Sequence, residues 1–133
     1  MLKLEIVTPE KRVLDETVES VTVPTATGEA GILTSHAPLI SALKPGILSY
    51  SNKGVTAKLA VSGGFVEVSG DQVSVMTDTA ENADEIDVEA ARAMRADAEK
   101  ALAAAASASV EETEAIREQL DAANARLSLS ASR

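Results

Sequence analysis

The hydrophobic pattern of this chain changes period once, at Asp78-Thr-Ala-Glu-Asn-Ala-Asp-Glu85, and that change constrains the fold more than any other feature. Upstream, apolar residues alternate with polar ones in short runs punctuated by glycine and proline, the period of a half-buried strand. Downstream, alanine, the strongest helix former, dominates, and apolar residues recur at three- and four-residue spacing. A chain of 133 residues has room for one compact domain with an appendage, not for two full-sized domains. The pattern predicts an all-β sandwich or flattened barrel over residues 1–84, then an antiparallel two-helix hairpin over residues 85–133.

The expected strands are Leu2 to Val7, a run from Val13 to Val23, Pro38 to Leu43, Ile47 to Ser51, Val55 to Ser62, Phe65 to Ser69 and Val73 to Thr77. Ile32-Leu33 re-enters the core between two connections, making roughly eight short strands. Pro24 should end its run or sit on an edge, because it cannot donate to a ladder. Gly28 and Gly31 should let the backbone turn sharply around Glu29-Ala30, leaving Glu29 in solvent. Asn52-Lys53-Gly54 reads as a hairpin loop. Phe65 points away from Val66 and Val68, which predicts cover on both sides of its strand.

In the second part, Asp87 is the expected N-cap of a helix whose apolar face is Val88, Ala91, Met94, Ala98, Leu102 and Ala105. Ser109 and Glu112 have the form of a capping box opening a second helix, with Ile116, Leu120, Ala123 and Leu127 on its face. Alanine buries little surface, so the shared face predicts a hairpin held loosely, able to open or to dock elsewhere. The run Ala103 to Ala106 is low in complexity, and there is no internal repeat.

Several functions are excluded or disfavoured. A formal charge of −9 argues against nucleic acid, which needs a basic surface. With no cysteine there is no disulfide framework or thiolate chemistry. The first residues lack an apolar core of signal-peptide length, and no window approaches the ~18 apolar residues of a spanning helix, so direct membrane insertion is not expected. A catalytic reading would begin at His36, with Ser35 beside it and Asp71 or Asp78 as a third member. There is no G-x-S-x-G elbow, and neighbours on a turn rarely aim at one another, so a loop histidine bonded to backbone is the better reading. One histidine without cysteine makes no metal site. Gly63-Gly64 lacks the lysine and following helix of a phosphate loop. No cofactor is expected.

Four motifs, Leu4-Glu-Ile-Val-Thr-Pro-Glu-Lys11, Gly28-Glu-Ala-Gly-Ile-Leu-Thr-Ser-His-Ala-Pro-Leu39, Leu43-Lys-Pro-Gly46 and Val61-Ser-Gly-Gly-Phe-Val-Glu-Val68, followed by Asp78-Thr-Ala-Glu81, closely resemble the epsilon subunit of bacterial F-type ATP synthase. The likeness runs through the two-helix tail. It implies a non-catalytic subunit of the rotor's central stalk, coupling proton-driven rotation of the c-ring to ATP synthesis. Its sandwich would bind the gamma subunit and the c-ring, the latter through Gly28, Glu29, Gly31 and His36. Its hairpin would permit hydrolysis when folded, and block it when extended along gamma toward the catalytic alpha and beta subunits. The location implied is peripheral, on the cytoplasmic side of the cell membrane. The other reading kept open is a free-standing β-sandwich binding module with a helical oligomerisation tail.

The chain departs from that pattern in two places. Thr34-Ser35 stand where the family commonly has Pro-Gly before its histidine, which predicts a less constrained loop. Members that bind ATP on the hairpin carry an arginine in the frame Ile/Leu-Asp-x-x-Arg-Ala and a second one seven residues on. Here Ile86 and Asp87 keep the frame, but Ala90 and Asp97 occupy the arginine positions, which predicts a degenerate site with weak or no ATP binding. Residues 87–133 carry nine acids against six bases, with only Arg117, Arg126 and Arg133 after residue 100. Inhibition by this tail is therefore expected to be weak or steric rather than electrostatic.

Overall fold

The computed structural model describes residues 1–105 and 107–131; Ala106, at the end of the alanine run, and Arg133 lie outside the described residues. Alternation builds the strands β1 (Leu2–Val7), β2 (Arg12–Val18), β3 (Ser20–Thr25), β4 (Gly28–Leu33), β5 (Leu39–Leu43), β6 (Gly46–Asn52), β7 (Val55–Val61), β8 (Gly64–Ser69), β9 (Gln72–Thr77) and β10 (Ala80–Glu81). They form one folded-over sheet in the order β10-β7-β6-β3-β5-β8-β9-β1-β2, with β4 paired to β3. Among the described residues only β1 and β9 run parallel, Ile6 beside Val75. Successive side chains of a strand point to opposite faces, so Leu2, Leu4 and Ile6 meet Val66, Val68, Val73 and Val75 in a buried aliphatic core closed by Val18, Val21, Val23, Ile32 and Leu48.

The departures from the sequence expectation have local causes. The run from Val13 to Val23 breaks at Glu19, whose N–H donates to the Ser51 carbonyl at 2.9 Å. Its carboxylate accepts from the Lys53 N–H at 3.0 Å. Pro24 lies inside β3 rather than ending it. Its carbonyl still accepts the Lys44 N–H at 2.9 Å, and its ring fills the space where a Cβ on Gly46 would come within 3.0 Å. Phe65 does face away from the buried Val66 and Val68, but among the described residues its side of the strand stays largely open, and it is 56% exposed. Ala80–Glu81, within the segment expected to be a plain boundary, adds a last short strand on Val61 and Ala60. The Lys53-Gly54 turn takes φ of 53° and 77°, the left-handed pair that a tight two-residue hairpin needs.

From there Asn82 caps the short 3-10 helix Ala83–Glu85 with a complete capping box. Asp87 then caps α1 (Val88–Ala104), its carboxylate accepting from the Ala90 N–H at 3.1 Å. Ser109 Oγ accepts from the Glu112 N–H at 3.2 Å at the start of α2 (Val110–Ala131). Ala91 and Ala98 of α1 are buried, with Val88, Met94, Leu102 and Ala105 half-buried on the same side. On α2, Ala123 is buried, and Ile116, Leu120 and Leu127 are half-buried. The two helices pack on one another as an arm. A second α2 face, not anticipated from its period, carries Ala125 and Leu129 onto Ala60 and Ile86, with Ile47 and Ala83 at the margin. The arm is thus docked on the sandwich through α2.

Candidate partner-binding site

The Gly28–His36 stretch is not a glycine-bracketed turn. The chain reverses earlier, over Thr25 to Gly28, where Thr25 Oγ1 donates to the Gly28 carbonyl and Gly28 takes φ of 122°. Gly28, Glu29, Ala30 and Gly31 then run as strand β4 opposite Thr25, Pro24, Val23 and Thr22. The correction follows from the partner: β3, rich in β-branched residues, pairs with β4 from Ser20 to Thr25, and a glycine permits a turn without demanding one. Glu29 still projects into solvent, as does Gly31, whose added Cβ would meet nothing within 4 Å.

The connection from β4 to β5 is pinned rather than loose. Ser35 takes φ of 66°, left-handed for a residue with a Cβ. Its N–H donates to Asp71 Oδ1 at 2.7 Å, across to the β8–β9 turn. The His36 N–H donates to the Leu33 carbonyl at 3.1 Å. Its ring Nδ1 lies 2.7 Å from the Ala37 carbonyl, which can only accept, so Nδ1 carries the proton and donates. Asp71 reaches the Ser35 amide rather than the imidazole, and among the described residues the ring of His36 is bonded to the Ala37 carbonyl and not to the Ser35 hydroxyl. The arrangement holds a loop in shape and assembles no nucleophile. Among the described residues no group of three or more His, Cys, Asp or Glu side chains converges to hold a metal.

A second surface was not legible from motifs. Register places Ala42, Phe65 and Met76 side by side across β5, β8 and β9, with Val7 of β1 next to Met76. Residues paired across strands share a face, so these four form one outward apolar row. Phe65 is 56% and Met76 50% exposed, and a cavity of about 510 Å³ opens between them, Val7 and Pro9. Ile40, 73% exposed, stands two residues before Ala42 on the same face. The signal available in the sequence was the outward position of the only phenylalanine.

On the arm, the positions of the degenerate nucleotide motif are scattered. Ile86 is buried beneath α2 with Ala60 and Leu129. Asp87 is occupied as the cap of α1, and Ala90 and Asp97 face solvent. Arg92 pairs with Glu89 at 2.9 Å, and Arg95 lies 3.9 Å from Glu99, so both guanidiniums face carboxylates of their own helix. What sequence reading missed here is Arg126, whose Nε donates to Glu81 Oε1 at 2.8 Å between α2 and β10. No helix of the described residues is long and apolar enough to cross a membrane.

A family model of the ATP synthase delta/epsilon chain β-sandwich domain matches residues 1–83. The ATP synthase epsilon chain of Geotalea uraniireducens is 50% identical over 101 residues, 76% of this chain and 73% of that one. That of Desulforamulus reducens is 52% identical over 100 residues, 75% of this chain and 76% of its own. Among solved structures, a chain of the OSCP/F1/c-ring assembly of Euglena gracilis mitochondrial ATP synthase superposes with a TM-score of 0.77 at 26% identity, covering 99% of this chain and 81% of that chain. A chain of the central stalk and c-ring of Tetrahymena thermophila mitochondrial ATP synthase shares the fold, with a TM-score of 0.55 at 20% identity over 63% of this chain and 68% of its own. Between the two readings left open by the motifs, these likenesses decide for the first: the chain belongs to the family of ATP synthase epsilon chains.

Proposed function

We propose that residues 1–84 seat this chain in the central stalk, with the gamma subunit on the row Ala42, Phe65, Met76 and Val7 and the c-ring at Gly28, Glu29, Gly31 and His36, while residues 85–133 are a movable arm that regulates ATP hydrolysis. As an epsilon chain it is a non-catalytic subunit; its work is to couple rotation of the c-ring to synthesis in the catalytic head. The enzyme's membrane sector puts it at the membrane, and this reading places it on the cytoplasmic side. The folded arm is taken as the permissive state, and extension along gamma toward the alpha and beta subunits as the inhibitory one.

The observation that carries the reading is the exposed row. Exposing its one phenylalanine next to a methionine gains the isolated fold nothing, whereas an interface centre uses such side chains for most of its binding energy. Glu29, on the solvent side of β4 and apart from that row, supplies a charge suited to a polar loop.

Reconstitution with purified gamma tests the assignment. Phe65→Ser should leave the chain folded and weaken gamma binding at least tenfold, because truncating a central aromatic anchor costs about 2 kcal/mol. Glu29→Lys should leave gamma binding intact and lower ATP-driven proton pumping relative to ATP hydrolysis. Unaltered gamma affinity in Phe65→Ser would remove the row from the interface.

A further inference from the structure

The docking of the arm depends on few large side chains. Ala60, Ala125, Ile86 and Leu129 supply its apolar contact, and small residues bury little surface. Beside that thin apolar contact stands an ion pair, Arg126 with Glu81. The two side chains are only 25% and 28% exposed, against 60% and 83% for Arg92 and Glu89, so water screens this pair less than a surface pair. Arg126 also points Nη1 at Met94 Sδ of α1, 3.4 Å away. One guanidinium therefore touches the sandwich through Glu81, belongs to α2, and is roofed by α1.

We propose that Arg126 is a latch that makes two separations a single event: α2 leaving the sandwich, and α1 leaving α2. If α1 peels away, Met94 goes with it, water reaches the guanidinium, and the ion pair weakens. If α2 undocks, Arg126 loses Glu81 and regains freedom to leave its place beneath Met94. Each opening removes part of what holds the other. The arm is then a two-state element, folded and docked or open and free, with no stable intermediate in which a closed hairpin swings loose. Glu81 is well placed for this role, since it ends β10, immediately before the capped turn that leads into α1.

The inference rests on residues 85–133 being a movable arm, and the test separates the two ideas. Because the chain contains no cysteine, spin labels can be attached in pairs at introduced cysteines on exposed sites of the full chain. Thr56 with Asn124 reports docking, and Ala96 with Asn124 reports hairpin closure. In the otherwise unaltered chain both distances should lengthen at one urea midpoint, below that of the sandwich. Glu81→Gln removes the charge that pairs with Arg126 of α2, yet it should raise the open fraction of both pairs together, by about fivefold at a given urea concentration. Arg126→Lys keeps a cation for Glu81 but loses the fork that reaches Met94, and should split the two midpoints. If the arm opens before the sandwich but the two distances already change separately, or if Glu81→Gln moves only the docking pair, the latch is overturned while the movable arm stands. If neither distance changes until the sandwich unfolds, both ideas fall.

Discussion

The Ser35 amide donates to the Asp71 carboxylate at 2.7 Å, tying the loop before β5 to the turn between β8 and β9. Both residues are left-handed, with φ of 66° and 59°, so two strained positions hold each other. Asp71→Ala removes the acceptor and leaves an alanine in the left-handed region, and should cost about 2 kcal/mol in urea unfolding. Ser35→Gly relieves strain while adding freedom to the unfolded chain, and should stay within about 1 kcal/mol of the parent. Amide exchange at Ser35 should speed up in Asp71→Ala; an unchanged rate there would show that the carboxylate does not order the loop.

Among the glycines, Gly64 leaves the least room for a side chain. It has φ of 149°, and a Cβ there would lie 1.9 Å from the Met76 carbonyl oxygen of the paired strand. Gly64→Ala should destabilise the sandwich by about 3 kcal/mol or more. Its neighbour Gly63 would meet only the Leu43 carbonyl oxygen at 3.8 Å, so Gly63→Ala should shift the urea midpoint by under about 1 kcal/mol equivalent. Equal midpoints for the two variants would contradict the strand geometry.

Burial, reinforced by the negative charge of Glu16, raises the Tyr50 phenol above its ordinary 10.0. The folded protein therefore holds this proton more tightly than the unfolded chain does. The contribution is fully present below pH 10.0, and is lost as pH climbs through the higher value in the fold. Tyr50→Phe should retain more of its stability in that alkaline window. As Tyr50 is the sole tyrosine and there is no tryptophan, the phenolate absorbance titrates one group; a midpoint at or below 10.0 would refute the shift.

Titration of the full chain with ATP should leave the amide shifts of Ile86, Asp87, Ala90 and Asp97 unmoved. Asp87 is already bonded to the Ala90 N–H, and Arg92 and Arg95 already face Glu89 and Glu99. Nothing in that constellation offers a phosphate a paired cation. Saturable shifts confined to these four residues would restore a nucleotide site.

Strand alternation made most of the sandwich legible, because Leu2, Leu4 and Ile6 or Val66 and Val68 declare a buried face by their spacing alone. The α1 face was equally plain, since Ala91, Met94 and Ala98 follow the helix period and point one way. Long-range pairing was less visible. Gly28 to Gly31 read as a turn because nothing local records that β3 lies opposite, and the short β10 forms only because Val61 and Ala60 offer it an edge. The candidate site divides along the same line. Glu29 and His36 were found by motif, whereas the row through Phe65 and Met76, and the pairing of Arg126 with Glu81 from 45 residues away, exist only in three dimensions.

The row of Val7, Ala42, Phe65 and Met76 draws one residue from each of four strands, and in sequence no two of them are neighbours. An unfolded or half-folded chain therefore has no such patch to offer. It comes into being only when the first strand has found the ninth, the pairing most distant in sequence in that part of the sheet. A partner that grips this row, as gamma does in the proposal above, meets a surface that only the paired strands present.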